Sequence, residues 1–318
     1  MRVKPYVAYR AAGFLATVLV LFPFPGRAQT AVIGAGYTTP QPLDAAPGQL
    51  ITIFAVVSGK QPASPLTGAP PLPATLGGFT VLLRQTFIDP MPIPILSVSD
   101  TQSCSAVMPA QCSTVSQITV QIPYELMPNI PHLSLPQNFA RLEINFNNSQ
   151  TSSLFLNPVP DSIHILNSCD VAAGGQSQPG SCVPIVKHAD GTLVSSGNPA
   201  HAFETVTISL VGLGQPAGIV TTGAAAPQVT PAIDGVLIGY DARVNASPSA
   251  LVPTSAIPLN TAQLRPGAVG IYDLLFVAPS LPPGVDACGG AVVSNLTVNI
   301  KRMTSSGGVG ICVAPSVQ

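Results

Sequence analysis

The chain has 318 residues, of which 46% are hydrophobic and only 8% charged, so it has enough apolar side chains for two domain cores and a largely uncharged polar surface. Its formal net charge is −1, and the eight Lys and Arg residues that lie outside residues 1–28 are scattered along the chain. Because a nucleic-acid site needs clustered basic residues, this composition excludes nucleic acid as the expected partner.

The N-terminus has the three parts of a secretory signal peptide. Basic residues within Met1–Arg10 precede an apolar run over Ala11–Phe24, and the small residues Gly26 and Ala28 stand before the expected cleavage site. The apolar run is shorter than the roughly 18–20 residues that span a bilayer. We therefore predict a cleaved signal peptide over residues 1–28, with an uncleaved anchor as the alternative. No second long apolar run follows, which predicts no transmembrane segment in the mature chain.

The first half of the mature chain alternates apolar and polar residues with a period of two, which predicts short β-strands. A polar, glycine-containing lead-in over Gln29–Pro42 comes first. Proline-rich segments at 61–73 and 89–94 cannot be central strands, because proline has no N–H to donate to a ladder. Between and after them, strands are predicted around Leu50–Phe54, Phe79–Leu83, Ile118–Ile122, Leu142–Phe146 and Leu154–Leu156.

The segment 162–200 joins the two halves of the chain. Ile163–Ile165 has the alternation of one short strand. Val183–Val186 and Thr192–Val194 are predicted to form a small hairpin, with Asp190-Gly191 as its two-residue turn.

The second half repeats the strand pattern, and no stretch of it has the period of an amphipathic helix. The proline-containing segment 246–266 is predicted to be a loop, and Thr304–Gly308 a mobile turn. The predicted strands are Thr205–Leu210, Val236–Ile238, Ile271–Val277 and Leu296–Ile300.

Three matched pieces of sequence indicate that one unit has been duplicated. The offsets are 155, 157 and 156 residues for Ile51 and Val206, Gly78 and Gly235, and Pro123 and Pro279. Each unit of about 130 residues is large enough for a single core. We predict an all-β fold of two tandem immunoglobulin-like β-sandwiches after the signal peptide. The first would occupy residues 29–160, and the linking hairpin with the second would occupy 161–318.

The six cysteines suit an oxidising compartment outside the cytoplasm. None lies in a Cys-x-x-Cys pair, so a zinc or redox motif is poorly supported. Sequence proximity favours three local disulfides among the many connectivities that six cysteines allow, and buried free thiols are the alternative. The favoured pairs are Cys104 with Cys112, Cys169 with Cys182, and Cys288 with Cys312.

Several motifs, in order along the chain, resemble one family of exported bacterial proteins. They are Ala46–Phe54, Leu72–Gly78, Gln121–Leu126, and Asp190–Ala200 followed by Val206–Leu210 and Gly212–Gln215. From about Ala45 to Ile300 the chain resembles the Solibacter uncharacterised C-terminal domain family of exported acidobacterial proteins. The resemblance implies two immunoglobulin-like sandwiches similar to IPT/TIG domains, and no catalytic residues. The family usually has Gly-Thr-Gly after its first strand, whereas this chain has Ala55–Gly59.

No residues stand at the spacing of a catalytic or metal site, so we predict no catalytic, cofactor-binding or metal-binding residues and no cofactor. No Gly-x-Ser-x-Gly elbow occurs, although a dispersed Ser/His/Asp triad stays open. His188 and Asp190 are expected to serve a hairpin turn. The histidines, none at ligand spacing from another, are His132, His164, His188 and His201. The tyrosines that could line a binding face are Tyr37, Tyr124, Tyr240 and Tyr272, and packing is favoured for Tyr124 and Tyr272.

The predicted function is a non-enzymatic interaction, such as adhesion or scaffolding, with an unknown extracellular protein or polysaccharide. The expected location is extracellular or at the cell surface, with the periplasm as an alternative. A carbohydrate-binding module is one alternative function, although the chain has no tryptophan for a sugar-stacking platform. An extracellular hydrolase with a dispersed active site is the other.

Overall fold

The protein is described from a computed structural model. The structure describes residues 30–35, 43–57, 60, 63–86, 88–104, 112–129, 138–170, 183–229, 233–241, 256–257, 259–285, 288, 295–300 and 306–315. Within these ranges it contains strands β1 to β20 and no α-helix, which confirms the predicted all-β class. Within the same ranges, no helix has the length and apolar character needed to cross a membrane. The predicted signal peptide lies outside the described residues.

The first eleven strands form two sheets. One sheet has the order β1-β3-β9-β8-β4, and the other has β2-β11-β10-β6-β5 with β7 beside β6. The strands are β1 (Thr30–Ala35), β2 (Leu43–Ala45), β3 (Leu50–Val57), β4 (Leu66–Thr67), β5 (Thr75–Leu76), β6 (Phe79–Gln85), β7 (Ile88–Pro92), β8 (Ile95–Cys104), β9 (Cys112–Gln121), β10 (Ala140–Phe146) and β11 (Ser149–Pro158).

The core of this half lies between its two sheets. Because side chains alternate across a strand, every second residue of β3, β6 and β10 points into that space. Ile51 and Ile53 from one sheet pack in one buried cluster with Val81 and Leu142 from the other. Two sheets that share a core in this way form a β-sandwich.

The remaining strands form a second sandwich. One sheet has the order β12-β14-β18-β17 with β13 beside β14, and the other has β16-β15-β19-β20. Ile208 and Leu274 pack in one buried cluster with Ile238 and Val298 of the opposite sheet. The strands are β12 (His164–Ile165), β13 (Val186–Lys187), β14 (Thr205–Val211), β15 (Val236–Tyr240), β16 (Ala256–Ile257), β17 (Leu259–Leu264), β18 (Tyr272–Val277), β19 (Leu296–Ile300) and β20 (Ser306–Val309).

Both sandwiches have the strand order of the immunoglobulin fold. In the first, β3-β9-β8 form one sheet and β6-β10-β11 the other, which corresponds to strands B-E-D and C-F-G of that fold. In the second, β14-β18-β17 and β15-β19-β20 repeat the arrangement. A parallel pairing also recurs in both sandwiches. In the first, β2 runs parallel to β11, and in the second, Ala200 bridges Val313 in the same parallel sense.

Strands occupy three segments for which the sequence predicts no strand, so the predicted loop over 246–266 and the predicted turn over 304–308 are wrong where the structure describes them. β1 lies within the lead-in 29–42, β16 and β17 within the loop 246–266, and β20 overlaps the turn 304–308. All four are edge strands. An edge strand pairs with one neighbour through its backbone, so it needs no long apolar pattern. Gly307 and Gly308 of β20, for example, pair with Val298 and Thr297.

The two sandwiches meet end to end in a buried contact. A small apolar cluster joins them, formed by Leu50, Leu166, Val211 and Ile271. Hydrogen bonds surround this cluster: the Gly223 N–H donates to Gln121 Oε1 at 2.6 Å, and the Tyr124 N–H donates to Thr222 Oγ1 at 3.0 Å. Leu50 is thereby covered on the face of β3 that points away from the first core.

Candidate functional site

The outer face of the sheet β11-β10-β6 exposes two phenylalanines. Phe155 on β11 is 54% exposed, and Phe139, just before β10, is 53% exposed. Arg141 is the direct cross-strand partner of Phe155, and it follows Phe139 by two residues. The period of a strand therefore places all three on one side of the sheet. We call Phe139, Arg141 and Phe155 the aromatic face.

An ion-pair network holds the arginines beside the aromatic face. Glu143 is buried on the outer side of β10, where Arg84 Nε lies 2.6 Å from its Oε2 and Arg141 also pairs with it. The hydrogen bond from Arg84 is the main reason that the pKa of Glu143 lies below its usual value. Two guanidinium groups share one carboxylate, so this side of the sheet keeps one positive charge.

A third exposed phenylalanine lies on the second sandwich, far along the chain from the aromatic face. Phe203 stands in the turn before β14, is 74% exposed and has a φ of 68°. Its counterpart in the duplicated pattern is Gly48, which has a φ of 75°. A side chain at this φ is strained, which is why glycine is common there. Phe203 stands alone among the exposed large apolar residues of that turn.

The hairpin over residues 186–194, within the joining segment 162–200, is held by hydrogen bonds of His188 and Glu204, which we call the hairpin clasp. His188 Nδ1 lies 2.6 Å from Glu204 Oε1, and its Nε2 lies 3.1 Å from the carbonyl oxygen of Asn198. Glu204 Oε2 in turn accepts the N–H of His201 at 2.9 Å. Burial alone would lower the pKa of His188, but the hydrogen bonds to Glu204 and Asn198 outweigh it, so the pKa is raised.

The turn of this hairpin differs from the predicted one. Gly191 donates its N–H to the carbonyl of His188, and His188 donates to the carbonyl of Thr192. Three residues, Ala189 to Gly191, therefore form the loop rather than two, with Gly191 at a φ of 86°. Asp190 Oδ1 accepts from the N–H and the hydroxyl of Thr192 at 2.9 and 2.7 Å, which is the expected turn role.

The structure contains one predicted disulfide among the residues it describes, between Cys288 and Cys312. Cys104 and Cys112 are opposite partners in the ladder of β8 and β9, at a backbone separation that a disulfide can bridge. Cys169 takes part in a disulfide, and Cys182 lies outside the described residues. The pairings Cys104 with Cys112 and Cys169 with Cys182 stay predictions.

The tyrosines that the structure describes are buried rather than displayed. Tyr124 and Tyr272 are 6% and 0% exposed, which confirms their predicted packing role, and Tyr240 is 5% exposed. The Tyr272 hydroxyl donates to the carbonyl of Gly214 at 2.5 Å and is hydrogen-bonded to the hydroxyl of Tyr124. Burial raises the pKa of Tyr124 to about 12 and that of Tyr272 well above its usual value. Tyr37 lies outside the described residues.

The other histidines do not gather into a site. His164 Nε2 lies 2.8 Å from Asp170 Oδ2, and His201 is exposed beside the hairpin clasp. In the part of the chain that the structure describes, no three His, Cys, Asp or Glu residues are arranged to hold a metal ion. His132 lies outside that part.

One cluster of polar side chains was missed by the sequence reasoning. Lys60, just after β3, and Asp100 on β8 form an ion pair whose side chains are 9% and 1% exposed. Asp100 follows the buried Val98 by two residues, so it stands at a core-facing position of β8. Burial raises the pKa of Asp100, but hydrogen bonds from Lys60 and its neighbours outweigh burial and leave the pKa below its usual value. The available signal in the sequence was Asp100, an acidic residue at a strand position whose side chain faces the core.

No known family model matches the chain, and no curated protein matches it. Among solved structures, the chain is similar to the C-terminal domain of the Streptococcus agalactiae AgI/II polypeptide BspA. The two have 8% sequence identity and a TM-score of 0.20, and the match covers 89% of this chain and 99% of that chain. A likeness at this level carries no argument about function.

Proposed function

We infer that this is an exported, non-enzymatic protein that acts by surface recognition outside the cytoplasm, in adhesion or scaffolding. The observation that carries this proposal is the aromatic face, where two half-exposed phenylalanines flank an arginine on a rigid sheet. Phenylalanine and arginine are enriched at the centres of protein interfaces, because rings bury large areas and guanidinium groups bind carboxylates. The resemblance to exported acidobacterial proteins fits this role.

The chemistry of the aromatic face favours a protein partner that presents apolar side chains beside a carboxylate. Phenylalanine rings have no polar atom with which to bind sugar hydroxyls, and the whole chain lacks tryptophan. The network of Arg84, Arg141 and Glu143 keeps one net positive charge next to the rings. An acidic group on the partner would complement that charge.

The polar clusters support a role without catalysis, because their members are engaged in structural bonds. Both ring nitrogens of His188 are hydrogen-bonded to acceptors, so neither is free to take a proton from a nucleophile. His164 is paired with Asp170. The Ser116 hydroxyl is hydrogen-bonded inside the buried pair of Lys60 and Asp100, where an external substrate has little access.

The proposal is tested by measuring how the purified, labelled chain binds to fixed cells of the organism that makes it. Changing Phe139→Ala and Phe155→Ala together should weaken binding at least about tenfold, as expected for central interface residues. Protease treatment of the cells should abolish binding, whereas periodate oxidation of their polysaccharides should not.

Phe203→Ala is the matched control, because it removes the same ring from a more exposed site on the other sandwich. It should leave binding unchanged. Equal binding by the double variant and the unchanged chain would contradict the aromatic face as the recognition site. Binding that is lost after periodate, but not after protease, would instead support the carbohydrate-binding alternative.

A further inference from the structure

The buried pair Lys60 and Asp100 brings an amine directly against a carboxyl group. Lys60 Nζ lies 2.5 Å from Asp100 Oδ2 and also contacts Oδ1. The side chain of Asp100 is 1% exposed and that of Lys60 is 9% exposed, so little water reaches the two groups. The pair links the segment after β3 to the middle of β8, which are not neighbours in their sheet.

Apolar rings and hydrogen-bonding groups surround this pair. Condensation of an amine with a carboxyl group requires such a dry site with a route for protons. The rings of Phe79 and Phe146 lie 5.3 and 5.9 Å from Lys60 Nζ and shield it from solvent. Ser116 Oγ lies 3.0 Å from Nζ and 2.7 Å from Asp100 Oδ1, so one hydroxyl touches both reacting groups. The N–H of Ala63 donates to Oδ2 at 2.9 Å.

We propose that Lys60 and Asp100 join covalently through an isopeptide bond, and that Ser116 relays the protons. The ammonium group gives one proton through Ser116 to Oδ1, and the free amine attacks Cγ of Asp100. Oδ2 then carries the negative charge of the tetrahedral intermediate, where the Ala63 N–H stabilises it. A second proton follows the same route, the Cγ–Oδ1 bond breaks, and Oδ1 leaves as water.

The step balances without any further reactant. An ammonium and a carboxylate become one amide and one water, and the Ser116 hydroxyl is restored. Holding the amine against the carboxyl carbon makes the reaction intramolecular, and well-oriented groups of this kind reach effective concentrations of about 10⁵ M or more. The amide also replaces two buried charges, whose removal from water is unfavourable.

The first test is the mass of the folded, secreted chain after its disulfides have been reduced. The chain should be one water lighter than its sequence requires, trypsin should not cut after Lys60, and a branched peptide should contain Lys60 joined to Asp100. A chain of full mass that trypsin cuts after Lys60 would overturn the proposal. This measurement needs no variant, so it does not depend on whether a substitution folds.

Variants test the assigned roles. Asp100→Ala should have the full mass of its sequence. Ser116→Ala should form the bond at least tenfold more slowly during refolding from denaturant, whereas Ser99→Ala, whose hydroxyl is bonded to Gln117 instead, should form it at the unchanged rate. Equal rates in the two serine variants would exclude Ser116 as the proton relay.

Discussion

Both ring nitrogens of His188 face groups that can only accept hydrogen bonds. Nδ1 faces the carboxylate of Glu204, and Nε2 faces the carbonyl of Asn198. An imidazole that satisfies two such acceptors carries a proton on each nitrogen and is therefore cationic. The hairpin clasp is thus a charged hydrogen-bond pair, and its strength follows the protonation of the ring.

The clasp makes folding stability depend on pH in a defined direction. The pKa of His188 is raised from 6.5, so its contribution is complete below pH 6.5 and is lost as the pH rises through the folded value. The pKa of Glu204 is lowered from 4.5, so its contribution is complete above pH 4.5 and is lost as the pH falls through the folded value. Stability from the clasp should therefore be greatest between these two pH values.

Replacing His188 should remove the loss of stability that occurs as the pH rises above 6.5. His188→Gln should lower the free energy of unfolding by about 1–3 kcal/mol at pH 6, because a hydrogen bond to a charged group is lost. The difference from the unchanged protein should shrink as the pH rises above neutrality. Urea unfolding across pH 5–9 measures both effects.

The exposed His201 provides the control for this substitution. In His201→Gln the backbone N–H that Glu204 accepts is kept, so stability at each pH should match that of the unchanged protein. A constant difference between His188→Gln and the unchanged protein across pH 5–9 would mean that the pKa of His188 is the same in the folded and the unfolded chain, and it would contradict a charged hairpin clasp.

At the scale of elements, the last strands depend on a covalent link. The Cys288–Cys312 disulfide joins two residues separated by 24 positions and ties the segment after β20 to the loop before β19. Closing a loop of this length lowers the conformational entropy of the unfolded chain, which stabilises the folded state by about 3 kcal/mol. Cys288→Ser with Cys312→Ser should lower the free energy of unfolding by about that amount, measured in urea. An unchanged midpoint would mean that the tail is held by packing alone.

The sequence predicts the central strands well and the edge strands poorly. Ile118 and Leu142 alternate with polar neighbours because one face of each strand meets the core, and that alternation is visible without coordinates. β20 has two glycines and one apolar residue, so its position is determined by the ladder with β19. The pair Lys60 and Asp100 is separated by forty positions, and only the fold brings it together.

The aromatic face and the contact between the sandwiches could not be predicted from the alternation of apolar and polar residues either, because only the fold brings their residues together. Phe139 and Phe155 come together through the register of β10 with β11. A shift of one residue in that register would place their side chains on opposite faces of the sheet. Tyr124 and Tyr272 meet because the ends of two separate sandwiches touch. A period of two identifies a strand, but it does not identify that strand's neighbours.

At the scale of the whole molecule, the contact between the sandwiches should couple their unfolding. Gly270 has a φ of 65°, and a Cβ there would lie 2.6 Å from the carbonyl oxygen of Gly48. Gly270→Ala should therefore separate the two sandwiches and reduce stability by about 2 kcal/mol more than backbone strain alone would. In calorimetry, one thermal transition should become two.

Gly267 provides a matched control for this substitution. It has a φ of 76°, so alanine is strained there too, but nothing lies within 4 Å of an added Cβ. Gly267→Ala should lose stability through backbone strain alone and keep a single transition. Identical behaviour of the two variants would mean that the sandwiches unfold independently of their contact.

The parallel pairing of β2 with β11 has a mechanical consequence. β2 comes early in the first sandwich and β11 ends it, so tension applied along the chain pulls these strands in opposite directions. Their hydrogen bonds would then be loaded together in shear rather than opened one after another. The bridge between Ala200 and Val313 has the same geometry in the second sandwich. Each sandwich should therefore resist stretching more strongly than its thermal stability suggests.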